Sequence, residues 1–403
     1  MFGQLHFGRM WTRRALKNSY DVVIIGAGVH GLATAYYLAK QGVSNVAVLD
    51  KGYLGCGNSG RNTAIIRANY RTLEGIPFYA ESLKLYEGLS KTLGYNVMFT
   101  QQGHLTLGHT DSAVNGLRVR AAVNQALDVD SRMVGAAEVK RLIPAIDTSS
   151  RPRYPIMAAL YHPPGGIIRH DAVVWGYARE AARLGVEVHP HTEVLGLSVR
   201  DGRIESVETS RGQIQTRTVV NATSGWCSKV ARMAGVELPV TSHPLQACVT
   251  EPMKPLLNKV IVSANLHVYV SQTPRGEFVL GAEIDPYQSY GLRSTLPTLQ
   301  SIAAHAMELF PCLARVRILR QWGGVCDMTP DYSPIIGEVP EVKGFYLDVG
   351  WGTYGFKAGP VAGKYLARLI ASGTPPDLIR PFSLARFYKG NLVGEKAAAA
   401  VSH

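Results

Sequence analysis

The sequence predicts an α/β fold: a doubly wound, mostly parallel sheet into which an α+β domain built on an antiparallel sheet is inserted. Three stretches predict it. Residues 21–50 run strand, glycine turn, helix, strand; residues 345–369 repeat a strand, a glycine turn and a helix near the other end. Between them, residues 245–283 read as short alternating strands separated by turns. The doubly wound domain is expected from residues 19–70, 155–230 and 323–390, and the inserted domain from 71–154 and 231–322. Residues 1–18 are left as a basic arm.

Residues 22–25, VVII, form an uninterrupted β-branched run of the kind expected for a strand buried on both faces. The run breaks into G-x-G-x-x-G, with Gly26, Gly28 and Gly31 as the glycines and Ala27, Val29 and His30 between them. The first glycine permits a tight turn, the second lets a pyrophosphate approach the backbone, and the third lets the following helix pack on the sheet. Leu32, Ala35, Tyr36 and Ala39 then recur at helical spacing, Gly42 is a stop, and 46–49 reads as the second parallel strand. Asp50, followed by Lys51, ends that strand about 20 residues beyond the glycines, where a carboxylate accepts hydrogen bonds from an adenosine ribose.

A second glycine-rich run follows at 55–63, with Asn58, Ser59, Arg61, Asn62 and Thr63, and Ile65 just beyond. A simple nicotinamide dehydrogenase has no use for such a loop here, whereas the longer, bent flavin adenine dinucleotide needs backbone donors that small residues bring close. A surface loop rich in turn formers is the competing reading. Arg67 and Tyr70 lie where the chain leaves the nucleotide site and, with Lys357, are the candidate catalytic residues. Helices are expected over 78–93, 112–127 and 136–142, with a strand-like GHLTLGH at 103–109.

From Tyr161 a Pro- and Gly-rich loop leads to His170, and Asp171 is expected to cap a helix running through 183. Residues 186–199, which include Val194, return as strand; 200–217 carry the Asp-Gly turn of a hairpin; and 219–226 form a buried strand ending in small residues. Strands at 245–250, 265–271 and 277–283 and a helix at 296–310 complete the inserted domain. In the last block Gly352, Thr353 and Gly355 belong to a glycine turn, and a helix follows from Lys357 with Pro360 in its first turn. That helix end, with the lysine beside it, is suited to stabilising negative charge on a bound ring.

Arg67 and Lys357 are the candidates for holding an acidic substrate, the arginine as a planar fork and the lysine as a point charge. A surface salt bridge for Arg67, and a role toward the flavin for Lys357, are the alternatives.

The chain has 403 residues, 46% of them hydrophobic, and a formal charge of +12. Its basic residues are scattered and are not interleaved with aromatics, which argues against nucleic acid and for anionic cofactors, an acidic substrate or an acidic partner. The five cysteines include no C-x-x-C pair, and no ligand cluster completes a metal site around His189 and His191, which read as part of a solvated turn. A reducing cytoplasm fits. No apolar run is long enough to span a membrane, and the N-terminus lacks the pattern of a secretory signal. Arg9, Arg13, Arg14 and Lys17 are either an arm that contacts a partner or a frayed terminus.

Together with the early glycine motif, SGRN at 59–62, RHDAVVWGYAR at 169–179, TPDYSPIIG at 329–337 and GWGTYGFK at 350–357 resemble the β subunits of heterotetrameric sarcosine oxidases. The likeness spans residue 19 to about 390. It implies noncovalent FAD on the glycine-turn fold, covalent FMN on His170, and an α subunit at the FMN that also binds NAD and a folate. Small γ and δ subunits, one of them zinc-binding, would complete the assembly. The related monomeric oxidases attach FAD through a cysteine upstream of Thr-Pro-Asp; here that position is Gly324, and Cys326 falls where they usually have tyrosine. The resemblance implies oxidation of a secondary, N-methyl type amino acid such as sarcosine, with electrons passing from FAD to FMN and on to an acceptor such as oxygen. Residues 71–75, RTLEG, depart from the acidic, tryptophan-containing segment of sarcosine-oxidising members, which opens N-methylglutamate or proline as the amine. Two readings of other classes remain: a flavoprotein subunit that only relays electrons, and an NAD-linked dehydrogenase.

Overall fold

The computed structural model describes residues 10–12 and 14–395 and, at residues 282 and 283, the backbone alone. Its centre is a six-stranded sheet in the order Ile335–Glu338, Phe345–Val349, Val219–Asn221, Val22–Ile25, Val46–Leu49, Glu187–His189. The first pair is antiparallel and all later pairs are parallel. The β-branched runs at 22–25 and 46–49 are buried at every position, as a sheet covered on both faces requires. Helices Val29–Lys40, His170–Arg183, Gly355–Ser372 and Gly75–Thr92 build one core on this sheet. A three-stranded sheet, Val194–Arg200, Arg203–Thr209 and Gly212–Gln215, and helix Cys227–Met233 build a second.

Helices Val29–Lys40 and Gly355–Ser372 lie against each other in parallel. A Cβ on Gly359 would come within 2.5 Å of Val29, and one on Gly363 within 2.6 Å of Ala33. The paired positions advance together, so both helix N-termini emerge at the same end.

The inserted domain is an eight-stranded sheet in the order Ile318–Met328, Thr241–Pro252, Glu277–Ile284, Val268–Gln272, Val260–Ser263, His104–Gly108, Ala158–His162, Arg132–Gly135. All pairs are antiparallel except Val260–Ser263 with His104–Gly108, which makes the sheet mixed. Helix Leu296–Leu309 covers it, with Phe278 and Phe310 fully buried in the shared core.

Several expectations are corrected. Helix Gly75–Thr92, assigned above to the inserted domain, turns Ile76, Phe78, Tyr79 and Leu83 into the dinucleotide core, because its apolar stripe faces helix Gly355–Ser372. Conversely, strand Ala158–His162 and the part of Ile318–Met328 beyond residue 322 belong to the eight-stranded sheet. The single strand expected at 186–199 is two strands in different sheets, separated by a turn in which His191 has φ +53°. His189 is not solvated: it is buried, 3.2 Å from the Tyr20 hydroxyl and 3.4 Å from Glu187. Asp171 sits inside the first turn of its helix; the cap position is Arg169, to which Asp171 pairs at 2.8 Å. Of the basic arm, Arg9 and Arg13 lie outside the described residues. Lys17 and Arg14 reach Glu187, which is buried, at 2.8 and 3.6 Å, so these two bind the chain itself.

The helix pair gives a stability test. Gly363→Val would force the two backbones apart, and overpacking at a contact this close should cost about 3 kcal/mol. Thermal denaturation of the apoprotein should show a drop of several degrees. An unchanged midpoint would mean the contact tolerates a branched side chain.

Candidate functional site

A cavity of about 550 Å³ opens where the two sheets meet, within the size range of cofactor sites. The glycine turn forms one end. Gly26 has φ +111°, and a Cβ there would lie 2.5 Å from the Ala222 carbonyl, so both conformation and space call for glycine. Gly28 faces the cavity, and a Cβ there would meet the Ser59 hydroxyl at 2.9 Å. Asp50 accepts from the Ala27 amide through one oxygen and from the Gly52 amide through the other, both at 2.8 Å. A carboxylate has about four lone-pair sites, so two amides leave room for ribose hydroxyls.

The second glycine-rich run lies across the cleft and is not a free surface loop. The Asn58 amide donates to the Ser224 hydroxyl at 2.8 Å and to the Val325 carbonyl, and its oxygen accepts from the Val325 amide at 2.9 Å. The Ser59 hydroxyl accepts from the Val29 amide at 2.9 Å, and Trp322 donates to the Arg61 carbonyl at 2.6 Å. These bonds tie the loop to both domains, and its residues line the cavity. The Lys51 ammonium stands 4.6 Å from the centre of the Trp226 ring.

The other end is cationic. Arg67 is 4% exposed and donates through Nη1 to the backbone and side-chain oxygens of Asn69 at 2.9 and 3.0 Å. Lys357, in the first turn of helix Gly355–Ser372, is 9% exposed with its ammonium 3.3 Å from the Thr353 carbonyl. Burial first, and then Arg67, push its pKa down to about 7. His104, 1% exposed, also faces the cavity, and neither ring nitrogen has a hydrogen-bond partner among the described residues. Burial, Arg67 and Arg120 hold it uncharged. Asp327, fully buried in the same wall, accepts from the Gly350 amide at 2.6 Å; burial raises its pKa to about 6 against the pull of backbone amides.

The cavity brings together Gly26, Gly28, Val29, His30, Asp50, Lys51, Asn58, Ser59, Arg61, Asn62, Thr63, Ile65, Arg67, Val194, Gly352, Thr353, Gly355 and Lys357. Ala27 and Gly31 stand behind this wall, Ala27 donating to Asp50 and Gly31 packed on the Gly26 carbonyl. Tyr70 does not reach the cavity. It is fully buried, stacked 3.7 Å from Tyr79, with Arg67 packed 4.4 Å over its ring. His170 is also outside, half-buried, with Phe356 edge-on at 6.5 Å. Residues 71–75 do not line the cleft either; the amides of Arg71 and Thr72 bind the Glu395 carboxylate. Their departure from the oxidase pattern therefore lies outside the wall of the cleft. His104, Trp226, His267, Tyr269 and Asp327 line the site without having been anticipated. His104, Tyr269 and Asp327 come from strands of the eight-stranded sheet, Trp226 from a short helical turn and His267 from the turn before strand Val268–Gln272, and only the tertiary fold brings them together here.

Lys357 gives a pH test. Its folded pKa lies below the value of a free lysine, so between about pH 7 and 10 the unfolded chain binds more protons at this position. The Lys357 contribution to stability should therefore rise with pH across that window. Urea unfolding of the apoprotein at pH 7 and pH 9 should show a larger gain for wild type than for Lys357→Met. Equal gains would mean the lysine keeps its ordinary pKa.

The geometry fits FAD: a tight glycine turn at a helix N-terminus for the pyrophosphate, a carboxylate for the ribose, and a second helix N-terminus at the far end. The family model described as FAD dependent oxidoreductase matches residues 21–369. The sarcosine oxidase subunit beta of Arthrobacter sp is 46% identical over 396 residues, 98% of this chain and 97% of that protein. The sarcosine oxidase subunit beta of Rhizobium meliloti is 44% identical over 399 residues, 99% of this chain and 95% of that protein. Among solved structures, L-proline dehydrogenase from P. horikoshii, 28% identical, superposes with a TM-score of 0.88 over 94% of this chain and 100% of its own. The chain belongs to the FAD dependent oxidoreductases and, within them, to the family of the sarcosine oxidase β subunits.

Proposed function

We propose that this FAD-dependent oxidoreductase oxidises a secondary amino acid of the N-methyl type, such as sarcosine, as one subunit of a hetero-oligomeric enzyme. The observation that carries the reading is the pair of buried cations, Arg67 and Lys357, at the end of the cleft away from the ribose carboxylate Asp50. When bound, FAD supplies the acceptor for the hydride equivalent that leaves the carbon beside the amine nitrogen, giving an imine that water hydrolyses. The chain supplies the orientation. Arg67 keeps one nitrogen on Asn69 and offers the rest of its fork to a carboxylate. Lys357, poised near neutrality, takes a proton when that carboxylate arrives, since an opposite charge raises its pKa again. Held by two points, the acid end leaves the carbon beside the nitrogen only limited freedom.

Anaerobic addition of sarcosine, N-methylglutamate or proline to the FAD-loaded protein tests this reading. At least one should bleach the visible flavin absorption. No bleaching by any of them would favour the relay reading, in which no substrate reduces the flavin directly. Arg67→Met, with FAD retained, should weaken the apparent affinity for the bleaching amino acid at least about tenfold. Unchanged affinity would remove Arg67 from the site.

We further propose FMN bound covalently at His170, with an α subunit seated there and small γ and δ subunits completing a cytoplasmic complex. The support is chemical. Burial lowers the His170 pKa, Asp171 opposes it and Arg169 adds to it, leaving a neutral ring with a lone pair to offer. Its ring neighbour Phe356 directly precedes Lys357, which links the surface position to the end of the cleft. The relatives named subunit beta support the partner assignment. Among the described residues no helix is long and apolar enough to cross a membrane. On a denaturing gel viewed under ultraviolet light, protein co-expressed with its partners should fluoresce, and His170→Ala should not, while still releasing FAD. A fluorescent His170→Ala band would contradict the attachment.

A further inference from the structure

His30 stands between the second and third glycines of the dinucleotide turn, in the first turn of helix Val29–Lys40. Its ring joins three segments. Nε2 lies 2.8 Å from the Gly355 carbonyl oxygen, and Nδ1 lies 2.9 Å from Oδ1 of Asp348, near the end of strand Phe345–Val349. The same Asp348 oxygen accepts from the Trp351 indole at 2.8 Å, and the Trp351 and His30 rings pack with centroids 4.5 Å apart. Nε2 makes a hydrogen bond, while the Nδ1 contact has the distance of an ion pair without the geometry of a hydrogen bond, so what it offers is charge pairing with a protonated ring. Burial disfavours that charge, but Asp348, the Gly355 carbonyl and Asp327 outweigh it, and the His30 pKa is raised. A helix N-terminus is a poor place for a cation, which makes this one unusual for its position.

The contacts around the glycine turn divide the task of holding it. Asp327 accepts from the Gly350 amide through its side chain and from the Gly352 amide through its carbonyl, at 2.6 and 3.0 Å. From the far side, Ser82 donates to the Lys357 carbonyl at 2.6 Å and Tyr86 to the Phe356 carbonyl. His30 holds Gly355, between these two anchorages. We propose that His30 is a positioning residue: a buried imidazolium, paired with Asp348, that clamps the 350–355 turn to the dinucleotide helix and so fixes where Lys357 meets the substrate. The last clause rests on the carboxylate role proposed for Lys357. The clamp itself does not.

Hydrogen–deuterium exchange on the FAD-loaded protein tests the clamp. His30→Phe keeps an aromatic ring against Trp351 and removes both the hydrogen bond to Gly355 and the ion-pair contact with Asp348; Asp348→Asn keeps the shape and removes the charge. Each should speed exchange of the amides in 350–358 at least tenfold and leave 22–25 unchanged. The double variant should exchange no faster than the faster single, since both changes break one pair. Wild-type exchange over 350–358 in both variants with FAD retained, or additive effects, would overturn the proposal. Where His30→Phe does not fold, Asp348→Asn decides alone. Methoxyacetate, an isostere of sarcosine with oxygen in place of the amine, gives the second readout through its effect on the flavin spectrum. It should bind both variants at least tenfold more weakly than wild type; equal binding with faster exchange would overturn the Lys357 clause. Failure to bind wild type would contradict the carboxylate reading, while exchange would still decide the clamp.

Discussion

Two parallel helices with their positive ends at one cleft are the constraint on which the rest of this structure depends. Side by side, their dipoles repel, and close approach at Gly359 and Gly363 makes the repulsion larger while also providing the packing that offsets it. The positive ends need negative charge. Part of it is built in, as the buried carboxylates of Asp327 and Asp348, which receive the Gly350 amide, the Trp351 indole and His30. The other helix end, at the first glycine turn, is where the phosphates of a bound dinucleotide would be favoured.

The cleft separates charge along its length. Asp50 and the first glycine turn, partly exposed, occupy one end, while Arg67, Lys357 and the uncharged His104, all three buried, occupy the other. Crowding Arg67 and Lys357 together is unfavourable without an anion, and Arg67 adds to the burial that depresses the Lys357 pKa. In the function proposed above, an acidic substrate supplies that anion on arrival. Binding energy drawn from the acid end is then available to orient the reacting carbon.

The parts of this arrangement legible in the sequence are those a single local stretch carries. Residues 21–50 contain the strand, glycines, helix and Asp50 in one contiguous run, and 345–372 contain the second helix end. What escaped sequence reading came from long-range pairing. His104 faces the cleft because its strand pairs in parallel with Val260–Ser263, a register no local pattern dictates. Tyr70 was placed in the site by its nearness to Arg67 in the chain, yet it stacks on Tyr79 of the next helix and leaves only Arg67 facing the cavity. Helix Gly75–Thr92 follows the same logic: its position in the chain suggested one domain, and its apolar stripe packs on the other.

The central claim is that one cleft holds FAD with the acid end of the substrate on Arg67 and Lys357. A crystal structure of the FAD-loaded protein soaked with methoxyacetate tests it most directly. The account predicts the ligand carboxylate within hydrogen-bond distance of both the Arg67 guanidinium and the Lys357 ammonium, with its methyl end toward the flavin. A carboxylate bound elsewhere in the cleft, or reversed toward Asp50, would contradict it.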